Sequence, residues 1–447
     1  MHVEKYTALL LSALVLLSCQ PEIDAPEQAL GDIDPSRFVS IGTNGTAGYA
    51  DDALHINGQT HSFVNILAQQ FDAVQATSFI QPVLGIESVG INIGDDSRLI
   101  LGNKTDCKGV TSLSPIREAS QGDISALSTP VYGAQGPFNN LGVPNSSILD
   151  INTSGYGNPA NGTGNFNPYY ARTTSDQANA SILQDAIDQN PTFYSLMLGD
   201  ADIMAYATSG GTANPIPPSS GAAGVGFNGS LNEIISALNV NGAKGVISNI
   251  PTVLSFPYFT TIPYNGLTLD AENAATLNTV FNPLGISFVE GDNPFTVSDP
   301  SEPFNVRKMV EGELILLSIP LDSVKCNGMG SIVPIPDKYV LSLAEIDEIN
   351  SKIDAYNEII LTTSQTSGLA FVDTKRLYAS LNAGIIYNGV SMDANFVTGG
   401  FFSLDGRNLS PIGQALLAND FIKAINSKFN SKIPYTNVTK YPGIVFP

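Results

Sequence analysis

Basic residues are scarce in this chain: 20 Lys and Arg stand against 41 Asp and Glu, a formal net charge of −21 over 447 residues. No basic stripe is left to neutralise phosphates, which excludes a general nucleic-acid binder. The acidity fits solubility beside an anionic membrane leaflet. Histidine is rarer still, with only His2, His55 and His61, so nothing beyond residue 61 can offer an imidazole base. Cysteine is limited to Cys19, Cys107 and Cys326, and no C-x-x-C occurs. That spacing excludes the usual zinc patterns, and neither a metal nor a cofactor is expected. Long apolar runs are missing too. The one at residues 8–17 is shorter than the roughly 20 residues a membrane-spanning helix needs.

That short run belongs to an N-terminal pattern. Lys5, the apolar segment and Leu16-Leu17-Ser18-Cys19 read as a bacterial lipoprotein signal over residues 1–18, with Cys19 as the acylated, palmitate-bearing mature N-terminus. Residues 19–36 are acidic and Pro-rich, too poor in apolar side chains to pack, and read as an extended tether. The expected location is the outer membrane, lipid-anchored, facing the cell surface or, alternatively, the periplasm. Such a compartment preserves disulfides. Cys107 and Cys326 either bridge, which the loop-closure model credits with about 4 to 5 kcal/mol, or remain two free thiols. Their spacing does not choose.

The remaining roughly 400 residues exceed the usual size of one domain. Short apolar runs at residues 38–41, 193–198, 245–249, 314–319 and 369–372 alternate with helical patterns. This alternation predicts an α/β fold with a parallel sheet covered on both faces. Ser342-Leu343-Ala344-Glu345 is a capping box opening a helix with Ile346, Ile349, Ile353 and Tyr356 on one side. Ser410-Pro411 opens another, carrying Leu417, Phe421, Ile425 and Phe429. Residues 152–170 and 208–229 are rich in Gly, Asn, Pro and Ser, and 267–307 is irregular apart from a candidate helix at 271–281. We read residues 37–430 as a single domain with these three insertions, followed by a tail at 431–447.

Four blocks carry a family resemblance. Residues Phe38-Val39-Ser40-Ile41-Gly42-Thr43-Asn44-Gly45-Thr46-Ala47-Gly48-Tyr49 resemble the opening strand and G-[DN]-S-L-T-x-G-Y turn of SGNH (GDSL-type) hydrolases. Asn140-Leu141-Gly142-Val143-Pro144-Asn145 resembles the N-x-G-x-x-G block, Leu198-Gly199-Asp200-Ala201-Asp202-Ile203 resembles G-x-N-D, and Leu404-Asp405-Gly406-Arg407-Asn408-Leu409-Ser410-Pro411 resembles D-x-x-H. The helix start Ile66-Leu67-Ala68-Gln69-Gln70-Phe71 is similar to the lipoprotein branch of that family in Bacteroidetes. The resemblance implies a flavodoxin-like three-layer sandwich with long loop insertions.

It also implies a dismantled reactive centre. Asn44 stands where the family has its serine nucleophile, Asn145 where a glycine amide lines the oxyanion hole, Ala201 where an asparagine donates, and Asn408 where the histidine base sits. Only Asp405 of the triad is retained. An amide side chain neither attacks a carbonyl nor shuttles a proton, and loss of nucleophile or base removes most of a triad's rate enhancement. No useful esterase activity is expected. The alternative of an SGNH-type hydrolase acting on lipid or carbohydrate esters would need unrecognised residues, such as a rewired pairing of His61 with Ser62 or Ser40.

The function expected is a non-catalytic lipoprotein acting as a binding or scaffolding subunit of an outer-membrane β-barrel or envelope complex. A module that keeps the old crevice for a glycan or lipid is a second possibility, in which Tyr156, Phe166, Tyr169, Tyr170, Tyr258, Phe259 and Tyr264 either stack on sugar rings or serve as loop anchors, with Tyr156, Tyr169 and Tyr170 the foremost candidates for ligand contact. Asp405, lacking a histidine to orient, is expected to accept backbone amides before the last helix. Asp200 and Asp202 are expected to make structural hydrogen bonds at a strand end.

Overall fold

The computed structural model describes residues 27–212 and 215–447. The lipoprotein signal, Cys19 and the first part of the tether lie outside the described residues. Five parallel strands form the central sheet: β1 (Phe38–Gly42), β2 (Asn140–Gly142), β3 (Phe193–Met197), β4 (Lys244–Ser248) and β5 (Ala370–Val372). Their order is β5-β4-β3-β1-β2, a doubly wound arrangement. In register, Phe38 lies beside Phe193, and Phe193 beside Lys244.

Helices follow the strands: α1 (Asn44–Ala47), α2 (Phe63–Val74), α3 (Ile182–Ile187), α4 (Asp200–Thr208), α5 (Phe227–Leu238), α6 (Leu343–Thr366) and α7 (Pro411–Phe429). Successive strand residues point to opposite faces, and β3 shows what each face meets. Phe193 packs edge-on against Phe71 of α2 and Phe429 of α7. Its neighbour Tyr194 instead reaches Asn239, just past α5, through its hydroxyl at 2.8 Å. The sheet is therefore apolar on both sides, as buried parallel strands must be.

The two long helices start as their sequence dictates. Ser342 accepts the Glu345 amide while the Glu345 carboxylate accepts the Ser342 amide, a complete capping box. Ile349, Ile353 and Tyr356 are fully buried behind it. Ser410 caps α7, whose Leu417, Phe421, Ile425 and Phe429 all reach the core.

One strand assignment differs. Residues 314–319 do not join the sheet: only Leu314–Ile315 is extended, and it pairs antiparallel with Val340–Leu341. The fifth place is taken by β2, three residues long with Asn140 at its start. It is too short and too polar to announce itself as a strand. Residues 267–307 are also more ordered than their composition predicts. The helix Ala271–Phe281 packs with Phe288 and Val306 in a small cluster, and Phe295 and Val297 join Ile315, Ile335 and Val340 in a second. The insertion builds satellite cores beside the main one. A hairpin, Leu99–Thr105 with Thr111–Arg117, was not anticipated from the sequence. Cys107 at its tip is disulfide-bonded to Cys326 at the end of the short helix Leu321–Cys326.

Candidate functional site: a cleft at the switch point of the sheet

The strand order reverses between β1 and β3, where doubly wound proteins place ligands beyond the carboxyl ends of the strands. β1 ends at Gly42, and the chain turns at once into α1. Gly142 of β2 lies so close to α1 that a Cβ there would sit 2.3 Å from the Ala47 nitrogen, so only glycine permits the approach. After β3, Gly199 takes the left-handed conformation (φ 91°) that turns the chain into α4.

These turns bring the four sequence blocks together. One cleft of about 110 Å³ is lined by Asn44, Asn145, Ala201 and Asn408, with Thr43, Asp200 and Arg407 beside them. The Asn44 side-chain oxygen accepts the Asn145 backbone N–H at 2.9 Å. Asn145 is held in the left-handed region (φ 62°), which asparagine tolerates better than most residues. The Asn408 amide donates to one Asp405 oxygen at 2.9 Å, and the other oxygen accepts the Asn408 and Arg407 amides at 2.8 and 2.9 Å. The Asp52 amide adds a further bond at 2.9 Å. Asp405 is thus saturated by amides, as expected for a carboxylate that organises a turn.

Thr43 and Asp200 were not assigned as a pair. The Thr43 hydroxyl donates to Asp200 at 2.8 Å. Asp200 as a residue is only partly buried, but one of its carboxyl oxygens is out of contact with solvent. Burial pushes its pKa up to about 6, opposed by the Thr43 hydroxyl and the amides at the start of α4. Asp202 accepts the Ser147 hydroxyl and, at 3.0 Å, the Ile148 amide. Burial, with the neighbouring Asp200 and Asp150 charges adding to it, raises Asp202 to about 7. It ties the loop after β2 to α4, a structural role.

Neither histidine near the first turn enters the cleft. His55 caps the helix Ile56–Thr60 by accepting the Gly58 amide and lies 3.4 Å from Asp51. His61 bonds the Asn57 carbonyl at 2.8 Å and meets the edge of Tyr441. Ser40 shares a 2.7 Å hydrogen bond with Ser195 inside the sheet, and Ser62 caps α2. Among the described residues no serine–imidazole pairing results.

The candidate stacking tyrosines are interior residues. Tyr169 and Tyr170 are 3 % and 0 % exposed, and the Tyr170 hydroxyl donates to Asp185 at 2.7 Å. Tyr156 packs against the same core beside Tyr170 and accepts from Asn167. Gly- and Asn-rich sequence looked like a solvent-facing loop there, but its aromatics are what anchor it. Tyr258 is also buried, but it stands beneath Arg407 at 5.7 Å in the wall of a second, larger hollow. Phe259 is fully buried, and Tyr264 packs on a satellite core.

Arg407 lies between the two hollows and lines both. Its Nη2 donates to Asp52 at 2.9 Å, and Asp52 also accepts from Arg117 at 2.6 Å. Burial works against the Arg407 charge, but Asp405 and Asp52 outweigh it and hold the guanidinium above its ordinary pKa. The sequence offered a signal here, since Arg407 sits inside the last block, but its ion-pair partner Asp52 is 355 residues away and chain order conceals it. Among the described residues no group of acidic, histidine and cysteine side chains could hold a metal ion, and no helix is long and apolar enough to cross a membrane.

Fold and cleft define an α/β protein with a parallel five-stranded sheet and a crevice at its switch point where Asn44, Asn145 and Asn408 stand among apolar side chains such as Met197, Met204 and Phe256. No family model, no curated protein and no solved structure matches the chain.

Proposed function

We propose that this chain is a catalytically silent SGNH-type lipoprotein, anchored in the outer membrane through lipidated Cys19 and serving as a binding or scaffolding subunit of a β-barrel or envelope complex. One observation carries the reading. Positions 44, 145, 201 and 408, drawn from four separate blocks, line a single cleft, and the polar groups there bond to one another. Asn44 occupies the Asn145 N–H that an oxyanion would require, and Asn408 keeps the contact to Asp405 without a titratable ring. Neither position 44 nor position 408 supplies a nucleophile or a base for acyl transfer. The tether and the lipid-bearing cysteine supply the membrane half of the proposal.

Two measurements test it. Purified protein is expected to leave nitrophenyl esters at the buffer rate, whereas turnover that disappears in Asn44→Ala would overturn the silent-site reading. Tagged protein solubilised from membranes is expected to bring a β-barrel with it, and a chain that emerges alone would remove the scaffolding role.

A further inference from the structure

We propose that the hollow beneath the hairpin of residues 99–117 is a binding site for a single-chain amphiphile, an apolar chain ending in an oxygen acceptor. The proposal is independent of the SGNH reading, because it uses a different cavity.

This hollow measures about 680 Å³, against about 110 Å³ for the switch-point cleft, and falls in the range of small-molecule sites. Its walls come from the hairpin, the segment around Tyr258 and Ile262, residues 317–325 and residues 396–407. The roof is braced at both ends. At the tip, the Cys107–Cys326 disulfide is joined by Lys325 to Asp106 at 3.3 Å and Lys104 to Asp322 at 3.5 Å. At the root, Arg117 holds Asp52. Packing forces close an unfilled space among apolar side chains, since its lining forfeits dispersion contacts. Here covalent and ionic struts keep it open.

The lining selects the occupant. Leu113 and Leu321, 47 % and 42 % exposed, stand in the wall with Ile262, Leu317 and Phe396. Such exposed apolar surface favours a hydrocarbon chain. Acidic and basic side chains in the wall balance and pair across it, which leaves no net field for a polyanion or polycation. The Arg407 side chain lines the hollow and stays 26 % exposed beside its bond to Asp52, so its guanidinium is placed to meet a carboxylate or ester carbonyl there. Val397, also in the wall, is held at φ 66°. That is a strained conformation for a β-branched residue, of the kind that concentrates at binding sites.

The test uses the mature chain, residues 19–447, carrying Cys19→Ser. Oleate and monoolein, each below its critical micelle concentration, are titrated against a bound fluorescent fatty acid. At least one is expected to displace it with a Kd of about 10 μM or tighter. Leu317→Trp, which fills the hollow, is expected to weaken binding at least about tenfold with an unchanged circular dichroism spectrum. Arg407→Gln distinguishes the head groups: a loss confined to oleate identifies the carboxylate, and an equal loss for both identifies the neutral acceptor. Opening the strap with Cys107→Ser and Cys326→Ser together is expected to speed release. The proposal is overturned if neither lipid displaces the probe up to about 100 μM, if binding ignores both Leu317→Trp and Arg407→Gln, or if only a neutral oligosaccharide such as maltohexaose binds.

Discussion

At the scale of single residues, the cleft is held by amides where a hydrolase would keep reactive groups. Asn44 has a structural partner in the Asn145 N–H, so Asn44→Ala should cost about 0.5–1.5 kcal/mol, read from chemical unfolding, without changing any ester turnover. Asn44→Ser alone should remain inactive because it restores no base. The double variant with Asn408→His should gain turnover, since Asp405 already contacts the side chain at position 408. Asp202 makes a pH-dependent prediction. Its folded pKa of about 7 lies above the unfolded value, so the stability it contributes is present below about pH 4 and is lost as pH rises through 7. Asp202→Asn removes that dependence. Relative to the parent, its unfolding free energy should improve by roughly 2–4 kcal/mol between pH 4 and pH 8. A flat difference across urea titrations in that range would contradict the assignment.

At the scale of elements, legibility followed length and period. Helix α6 repeats its apolar positions over 24 residues behind a capping box, and α7 does so over 19; patterns of that length leave no competing reading. Ser342→Ala should cost about 1 kcal/mol, and Ile349→Ala, at a fully buried site, about 2–5 kcal/mol. Thermal melts with both variants would check the order. Strand β2 is not legible in the sequence, and the segment at 314–319 misleads as a sheet strand, for the converse reason. A three-residue edge strand is defined by its partner β1 rather than by its own side chains. An apolar run of six residues, conversely, can bury itself in any core, and this one divides between the main core through Leu316 and a satellite cluster through Ile315 and Ile319. The tyrosines at 156, 169 and 170 show the same limit, because composition marks a loop but does not say which of its side chains anchor it.

At the scale of the whole molecule, the disulfide joins elements 219 residues apart in sequence. The loop-closure model credits such a link with about 4 to 5 kcal/mol. Replacing Cys107 and Cys326 by serine should therefore lower the melting temperature clearly, while the far-UV circular dichroism of the sheet and helices persists. By itself the sequence determined the class of fold, the two long helices and the lack of any histidine beyond residue 61. Those depend on local period, capping chemistry and composition, which travel with the chain. Tertiary structure alone decided that the blocks converge on one cleft, that Asn44 fills the Asn145 amide, that the insertion tyrosines are core, and that Arg407 bridges two hollows. Each of these is a contact between residues far apart in sequence, and its energy comes from proximity that only the closed sheet and its packed helices create.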